Sequence, residues 1–155
     1  MLYWDLDGVL RLLGSYVLGQ EPDVWDEKYK GKTVIQHINE HPEICLYAPE
    51  SEYLPIVNEN CDHINILTNQ LPSWIPWTDK WLNNHIKISY EVVYTNGPDA
   101  KFSYLGKDNI LIEDYPKYQS YEQIALITRN YNKDLDVPLR ISSPDELLKF
   151  LENYQ

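Results

Sequence analysis

The sequence is poor in cations and cysteine, and it has no long apolar run. Only 13 Lys and Arg stand against 24 Asp and Glu, a formal charge of −11. Proteins that track nucleic-acid phosphates need clustered cations to displace counterions, so long nucleic acid is an unexpected partner. The two cysteines, Cys45 and Cys61, are too few for a disulfide framework and lack the close spacing of a zinc knuckle. They read as reduced thiols. No stretch approaches the ~20 apolar residues of a membrane span. The N-terminus, Met1-Leu2-Tyr3-Trp4-Asp5, lacks the basic and apolar regions of a signal peptide. The expectation is a cytoplasmic protein with no membrane partner. Repeats, low-complexity tracts and flexible linkers are also missing, and 155 residues suit one compact domain, 1–155, with room for a modest insertion. The oligomeric state is left open, a homo-oligomer included.

What is present is an alternation. The segment Leu2–Gly8 reads as a short strand running into a turn at Gly8, and further strands are predicted at Ile64–Thr68, Glu91–Tyr94, Asn109–Ile112 and Ile124–Ile127. Several are short apolar runs, which suit strands buried on both faces of a parallel sheet. Helical patterns fall between them, at 50–59 and 73–85. A last helix is signalled by Ser143 as N-cap, Pro144 at the first helical position and Glu146 completing a capping box. The pattern predicts an α/β fold with a Rossmann-like, doubly wound parallel sheet. The stretch from about 14 to 49 breaks the rhythm with Gly14, Gly19, Pro22, Gly31, Pro42 and Pro49. It reads as a small, partly helical insertion, with a helical run near 32–40.

Several short patterns lead nowhere. Gly31-Lys32-Thr33 would need a glycine at position 26 to end a P-loop, and that residue is Asp26. A calcium loop through Asp5 and Asp7 would start at Tyr3 and need an acid where Gly14 stands. His37, Glu40 and His41 have the HxxEH spacing of inverted zinc peptidases. Pro42 follows at once and the chain is far shorter than such enzymes, so this reads as the polar face of a short helix.

Four separated elements carry the chemistry: Asp5-Leu6-Asp7-Gly8, Thr68-Asn69, Lys101 and Glu113-Asp114. Each falls at the C-terminal end of an expected strand or the start of a helix, where functional groups gather in open α/β sheets. Asp5 and Asp7, two apart on extended chain, are expected to point the same way. With Glu113 and Asp114 arriving from another strand, three or four carboxylates would converge and repel unless a cation intervenes. An all-oxygen set favours Mg2+. The ion would neutralise a phosphate, one carboxylate could attack phosphorus, and a second could move the leaving-group proton. Thr68, Asn69 and Lys101 would hold the phosphate.

These residues resemble the haloacid dehalogenase (HAD) superfamily of phosphohydrolases. The first motif is similar to Trp4-Asp5-Leu6-Asp7-Gly8-Val9-Leu10, the second to Asn65–Asn69, the third to Lys101 and the fourth to Glu113-Asp114. The resemblance implies Asp5 as nucleophile, Asp7 as acid/base, and Mg2+ held by Asp5, the Asp7 carbonyl and Asp114, with Glu113 acting on it directly or through water. The second acid, Asp7, favours phosphatase over dehalogenase chemistry.

Within the superfamily the chain looks most like the 5′(3′)-deoxyribonucleotidases. Trp81-Leu82, the phrase Asp108–Asp114 and the phrase Leu126–Asn132, which ends in an aromatic-Asn pair, carry this likeness. It implies a small-molecule phosphomonoester substrate, a nucleotide. The chain departs from that family in Glu113, where a second aspartate is commoner, and in an insertion shorter than the usual cap. Thr68-Asn69-Gln70 is also similar to the polynucleotide 3′-phosphatase and histidinol-phosphate phosphatase branch, although that branch's GD…D fourth motif is absent. A third alternative, a catalytically silent scaffold for partner binding, sits poorly with an intact Asp5.

Aromatic usage is lopsided, with 13 Tyr and 5 Trp against 2 Phe. Tyr and Trp suit base stacking, which makes Trp25, Tyr29 and Tyr47 in the insertion candidate base contacts. Trp74, Trp77 and Trp81 fall at helical spacing and read as packing.

Overall fold

The computed structural model describes residues 1–154. Six strands form one parallel sheet: β1 (Leu2–Trp4), β4 (His63–Asn69), β5 (Ser89–Thr95), β6 (Ile110–Glu113), β7 (Ile124–Ile127) and β8 (Leu139–Ile141). Their order is β5-β4-β1-β6-β7-β8. From β1 the chain builds outward to β4 and β5 on one side, then crosses back to lay β6, β7 and β8 on the other. That reversal at β1 is the switch point of a Rossmann-like sheet. Trp4 sits level with Ile66 on one neighbour and Ile112 on the other.

Period-2 alternation sends successive side chains to opposite faces, so the buried strands are apolar on both. Trp4, Ile66, Ile112, Ala125 and Ile127 meet Leu54 and Val57 of α4 (Leu54–Asn60), Trp81 and Leu82 of α5 (Ile75–His85), and Leu147 and Leu151 of α7 (Pro144–Tyr154). On the other face Leu67, Leu111, Ile124 and Leu126 meet Leu105 and Phe102 of α6 (Pro98–Leu105), with Tyr118 and Tyr121 from the loop after β6. Trp81 is wholly buried and donates its indole N–H to the carbonyl of Ala48 (2.8 Å). Truncating such a residue to alanine costs about 3–5 kcal/mol.

Residues 10–12 and 49–51 run side by side as a stem. Leu12 N–H bonds to the carbonyl of Pro49, and Ser51 N–H to that of Leu10, both at 2.9 Å. Between them the chain makes α1 (Leu13–Leu18), a hairpin of β2 (Lys28–Tyr29) and β3 (Lys32–Thr33), α2 (Val34–Glu40) and α3 (Ile44–Tyr47). This segment has its own apolar centre of Leu13, Ile38, Cys45 and Ala48, closed by Trp74 at the start of α5. The insertion therefore leans on the C-terminal edge of the sheet, over the strand ends.

Some details differ from expectation. The strand β8, the helices α1, α3 and α6 and the small hairpin are additional to the expected elements. At the start of α7 the Ser143 hydroxyl accepts the N–H of Glu146 (3.2 Å), but the Glu146 carboxylate reaches back to Ser142 N–H (2.7 Å), one residue earlier than a capping box. A complete capping box forms instead between Thr33 and Gln36, at the start of α2. Cys45 and Cys61 are free thiols. No helix among the described residues is long and apolar enough to cross a membrane.

Candidate active site

Three of the four elements end on adjacent strands. Asp5 follows β1, Thr68 and Asn69 close β4, and Glu113 closes β6 with Asp114 just beyond. The fourth, Lys101, lies in the second turn of α6, which leaves β5 through Gly97 (φ +98°) and Pro98 at its first position. All six side chains line one cleft of about 520 Å³, together with residues of the insertion.

At the floor, Lys101 is buried and its ammonium donates to Asp5 Oδ1 (2.6 Å) and Glu113 Oε2 (2.7 Å). Asp5, Glu113 and Asp114 are all buried, and each offers an oxygen within 4.8 Å of the others. Two of the three carboxylates share the one ammonium, and the competition sorts them. Burial and the Glu113 charge push Asp5 well above the usual aspartate range, outweighing the opposing pull of Lys101. Burial and the charges of Glu113 and Asp5 raise Asp114 likewise. Burial acts upward on Glu113 too, but Lys101 and the hydrogen bonds it accepts hold it down to about 2. Burial works against charge on Lys101, yet Asp5 and Glu113 more than compensate, so its pKa is raised.

The oxygens of Glu113 are fully engaged. Oε1 accepts the N–H of Asp114 (2.9 Å) and Tyr115 (3.3 Å), while Oε2 accepts Lys101 and the hydroxyl of Tyr118 (3.0 Å). Four donors occupy the lone pairs of this carboxylate, so Glu113 is held firmly where it orients Lys101. Asp114 is different. Its Oδ2 accepts the hydroxyl of Tyr131, but its Oδ1 is buried with no partner among the described residues. A buried, unpartnered carboxylate oxygen beside a second raised carboxylate is a place where a hard divalent cation fits.

The expected convergence of Asp7 needs correction. Its carboxylate is not in the acidic group but turned to Arg11 and Gln70, with Arg11 Nε on Oδ1 (2.7 Å) and Arg11 Nη2 and Gln70 Nε2 on Oδ2 (3.0 and 2.7 Å). The strand rule stops applying because β1 ends at Trp4. Leu10 and Arg11 N–H groups then bond back to the carbonyl of Leu6 (2.8 and 2.9 Å), winding residues 6–11 into a turn. That turn sets Gly8 at φ +85°, against Asp114. A Cβ there would lie 1.9 Å from Asp114 Oδ2, so only glycine fits.

Thr68 is buried, and its hydroxyl accepts Gln70 Nε2 (3.2 Å). Thr95 Oγ1 donates to Asn69 Oδ1 (2.5 Å). Of the three aromatic candidates, only Trp25 lines the cleft. Its ring meets Tyr115 (5.0 Å) and Tyr131 (5.2 Å) edge-on. Tyr29 packs on His37 in the hairpin, and Tyr47 at the end of α3 is 62% exposed; neither lines the cleft. The HxxEH histidines do not converge either: His37 bonds to the carbonyl of Tyr29 (2.6 Å), and His41 closes α2 facing Glu43.

Sequence reasoning missed Arg11, Gln70, Tyr118 and Tyr131 as parts of this site. Arg11 had a readable signal: a lone cation in Val9-Leu10-Arg11-Leu12-Leu13 must be buried with a counter-ion. Asn132, the second half of the aromatic-Asn pair, is buried and donates to the carbonyls of Asp114 (2.9 Å) and Ile127 (2.8 Å), tying the loop after β7 to the acidic cluster.

No protein-family model matches the chain, and no curated protein matches its sequence.

Proposed function

We propose that the protein is a Mg2+-dependent phosphomonoesterase of the HAD type, acting on nucleoside or deoxynucleoside monophosphates, with residues 14–49 as its cap. The observation that carries this reading is the meeting in one cleft of Asp5, Thr68 and Asp114, at adjacent strand ends, with Lys101 of α6. Asp5 and Asp114, with the Asp7 carbonyl, would hold Mg2+, and the unpartnered Asp114 oxygen supports that assignment. When bound, the ion supplies charge neutralisation that lets a phosphate dianion enter an acidic cleft.

The residues then divide the work. Thr68, Asn69 and Lys101 hold the phosphate, and Glu113 keeps Lys101 charged and aimed. An Asp5 oxygen attacks phosphorus, the bond to the leaving oxygen breaks, and Asp7 gives that oxygen a proton. Water then attacks the aspartyl-phosphate, Asp7 takes its proton, and inorganic phosphate departs with Asp5 regenerated. Trp25, flanked by Tyr115 and Tyr131, offers an apolar wall for the remainder of the substrate, which favours a nucleoside over a small polar group.

The test is inorganic phosphate release from a panel of phosphomonoesters with and without Mg2+. Preference for mononucleotides is expected. Preference for 3′-phosphorylated oligonucleotides would move the protein to a polynucleotide phosphatase, and no release from any ester would make it a silent scaffold.

A further inference from the structure

The guanidinium of Arg11 is wholly buried and held on every side. Nε and Nη2 grip the two oxygens of Asp7, Nη2 also reaches Gln70 Oε1 (3.3 Å), and Nη1 donates to the Cys45 carbonyl (2.8 Å) and Thr78 Oγ1 (3.1 Å). Its face lies 5.5 Å from the ring centre of Trp81. Gln70 completes the network. Its amide donates to Asp7 Oδ2 (2.7 Å) and Thr68 Oγ1 (3.2 Å), and its carbonyl accepts Thr78 Oγ1 (2.9 Å). The planar fork of an arginine fixes both the position and the plane of a carboxylate, which a lysine cannot do. Four parts of the chain meet here: the turn after β1, the end of β4, α5 through Thr78 and Trp81 and, through Cys45, the insertion.

We propose that Arg11 and Gln70 are positioning residues for Asp7, setting the direction of its carboxylate and locking it in register with Thr68. This rests on the phosphatase reading, in which Asp7 hands a proton to the leaving oxygen and Thr68 holds the phosphate. Neither Arg11 nor Gln70 touches the reacting atoms. They act by keeping acid and phosphate site at one separation, and small misplacements of a proton donor are costly in rate.

The effect is readable through the leaving group. A nucleoside alkoxide needs a proton to depart, whereas p-nitrophenolate leaves without one. The quantity to compare is kcat/KM, which covers the steps up to departure of the leaving group and leaves out the later hydrolysis. Arg11→Met is expected to lower kcat/KM about 100-fold on a deoxynucleoside 5′-monophosphate and less than about tenfold on p-nitrophenyl phosphate. Because Arg11→Met strips the half-buried Asp7 carboxylate of its counter-ion, Arg11→Lys is measured beside it. That variant keeps the charge but not the fork, and is expected to show the same selectivity between substrates with a smaller loss. On an Asp7→Asn background, Arg11→Lys is expected to add no further loss, since the residue it positions has been disarmed.

Equal losses on both substrates, or a further loss on the Asp7→Asn background, would make Arg11 a purely structural residue and overturn the inference alone. A wild-type protein that hydrolyses neither ester in Mg2+ would overturn the phosphatase reading, and this inference with it.

Discussion

Replacing Asp114 by Asn removes one charge from a cluster of three carboxylates, two of them paired with the single lysine, while keeping the side chain's shape. Without metal, Asp5 and Asp114 sit well above the usual aspartate range, each through burial first and then the charge of Glu113. Their folded-state pKa values are raised above the unfolded value of about 3.9, so above that pH the folded state holds protons the unfolded state has lost. The stability they contribute is fully present below about pH 4 and falls as pH rises through the raised values. At neutral pH the metal-free protein bears this cost, and Asp114→Asn relieves part of it. A gain on the order of 1 kcal/mol is expected, or roughly 2–4 °C in Tm for a chain of this size. Magnesium is expected to reverse the ranking. At 100 times its Kd it should stabilise the wild type by about 2.7 kcal/mol, roughly 5–11 °C, and the variant lacks the proposed ligand. Thermal unfolding from pH 5 to 8, with and without Mg2+, reads both effects. The wild type's metal-free Tm should fall more steeply with pH than the variant's, and its Mg2+ shift should grow as the ligands lose protons. A metal-free Asp114→Asn protein less stable than wild type at neutral pH, or a wild type indifferent to Mg2+, would refute the reasoning.

Tyr131→Phe removes the hydroxyl that orients Asp114 and should weaken Mg2+ binding about tenfold, measured by the metal dependence of Tm, with the fold intact. Gly8→Ala forces a methyl into Asp114 and a left-handed φ on a residue with a Cβ; a loss of roughly 3 kcal/mol and of the Mg2+ response is expected in denaturant unfolding. Trp25→Ala should raise KM for mononucleotides about tenfold while leaving p-nitrophenyl phosphate within about threefold, in steady-state phosphate release.

The strands that position the site were legible because parallel strands buried on both faces read as plain apolar runs: Ile64–Leu67, Leu111–Ile112 and Ile124–Ile127 carry no ambiguity. The residues at their ends, Asp5, Thr68, Glu113 and Asp114, followed directly. Strand β8 was not legible, since three residues with Arg140 at their centre and Pro138 just before them resemble a loop. Helix α6 has a weak apolar stripe and is announced only by Gly97-Pro98. The direction of Asp7 was misjudged by extending strand periodicity past Trp4, where the turn onto Leu6 takes over. Trp25, Tyr29 and Tyr47 were indistinguishable because a segment broken by Pro and Gly has no periodicity to say which side chains face inward. Burial of Arg11 against Asp7 joins residues four apart in sequence, but its other partners, Cys45, Gln70 and Thr78, are brought to it only by the tertiary fold.

The proposed nucleophile, Asp5, is the most direct point to test. Phosphate release from a deoxynucleoside monophosphate in saturating Mg2+ should be readily measured for the wild type. A folded Asp5→Asn protein should fall by roughly four orders of magnitude, because no other group in the cleft sits where that oxygen does. Undiminished release by Asp5→Asn would contradict that role.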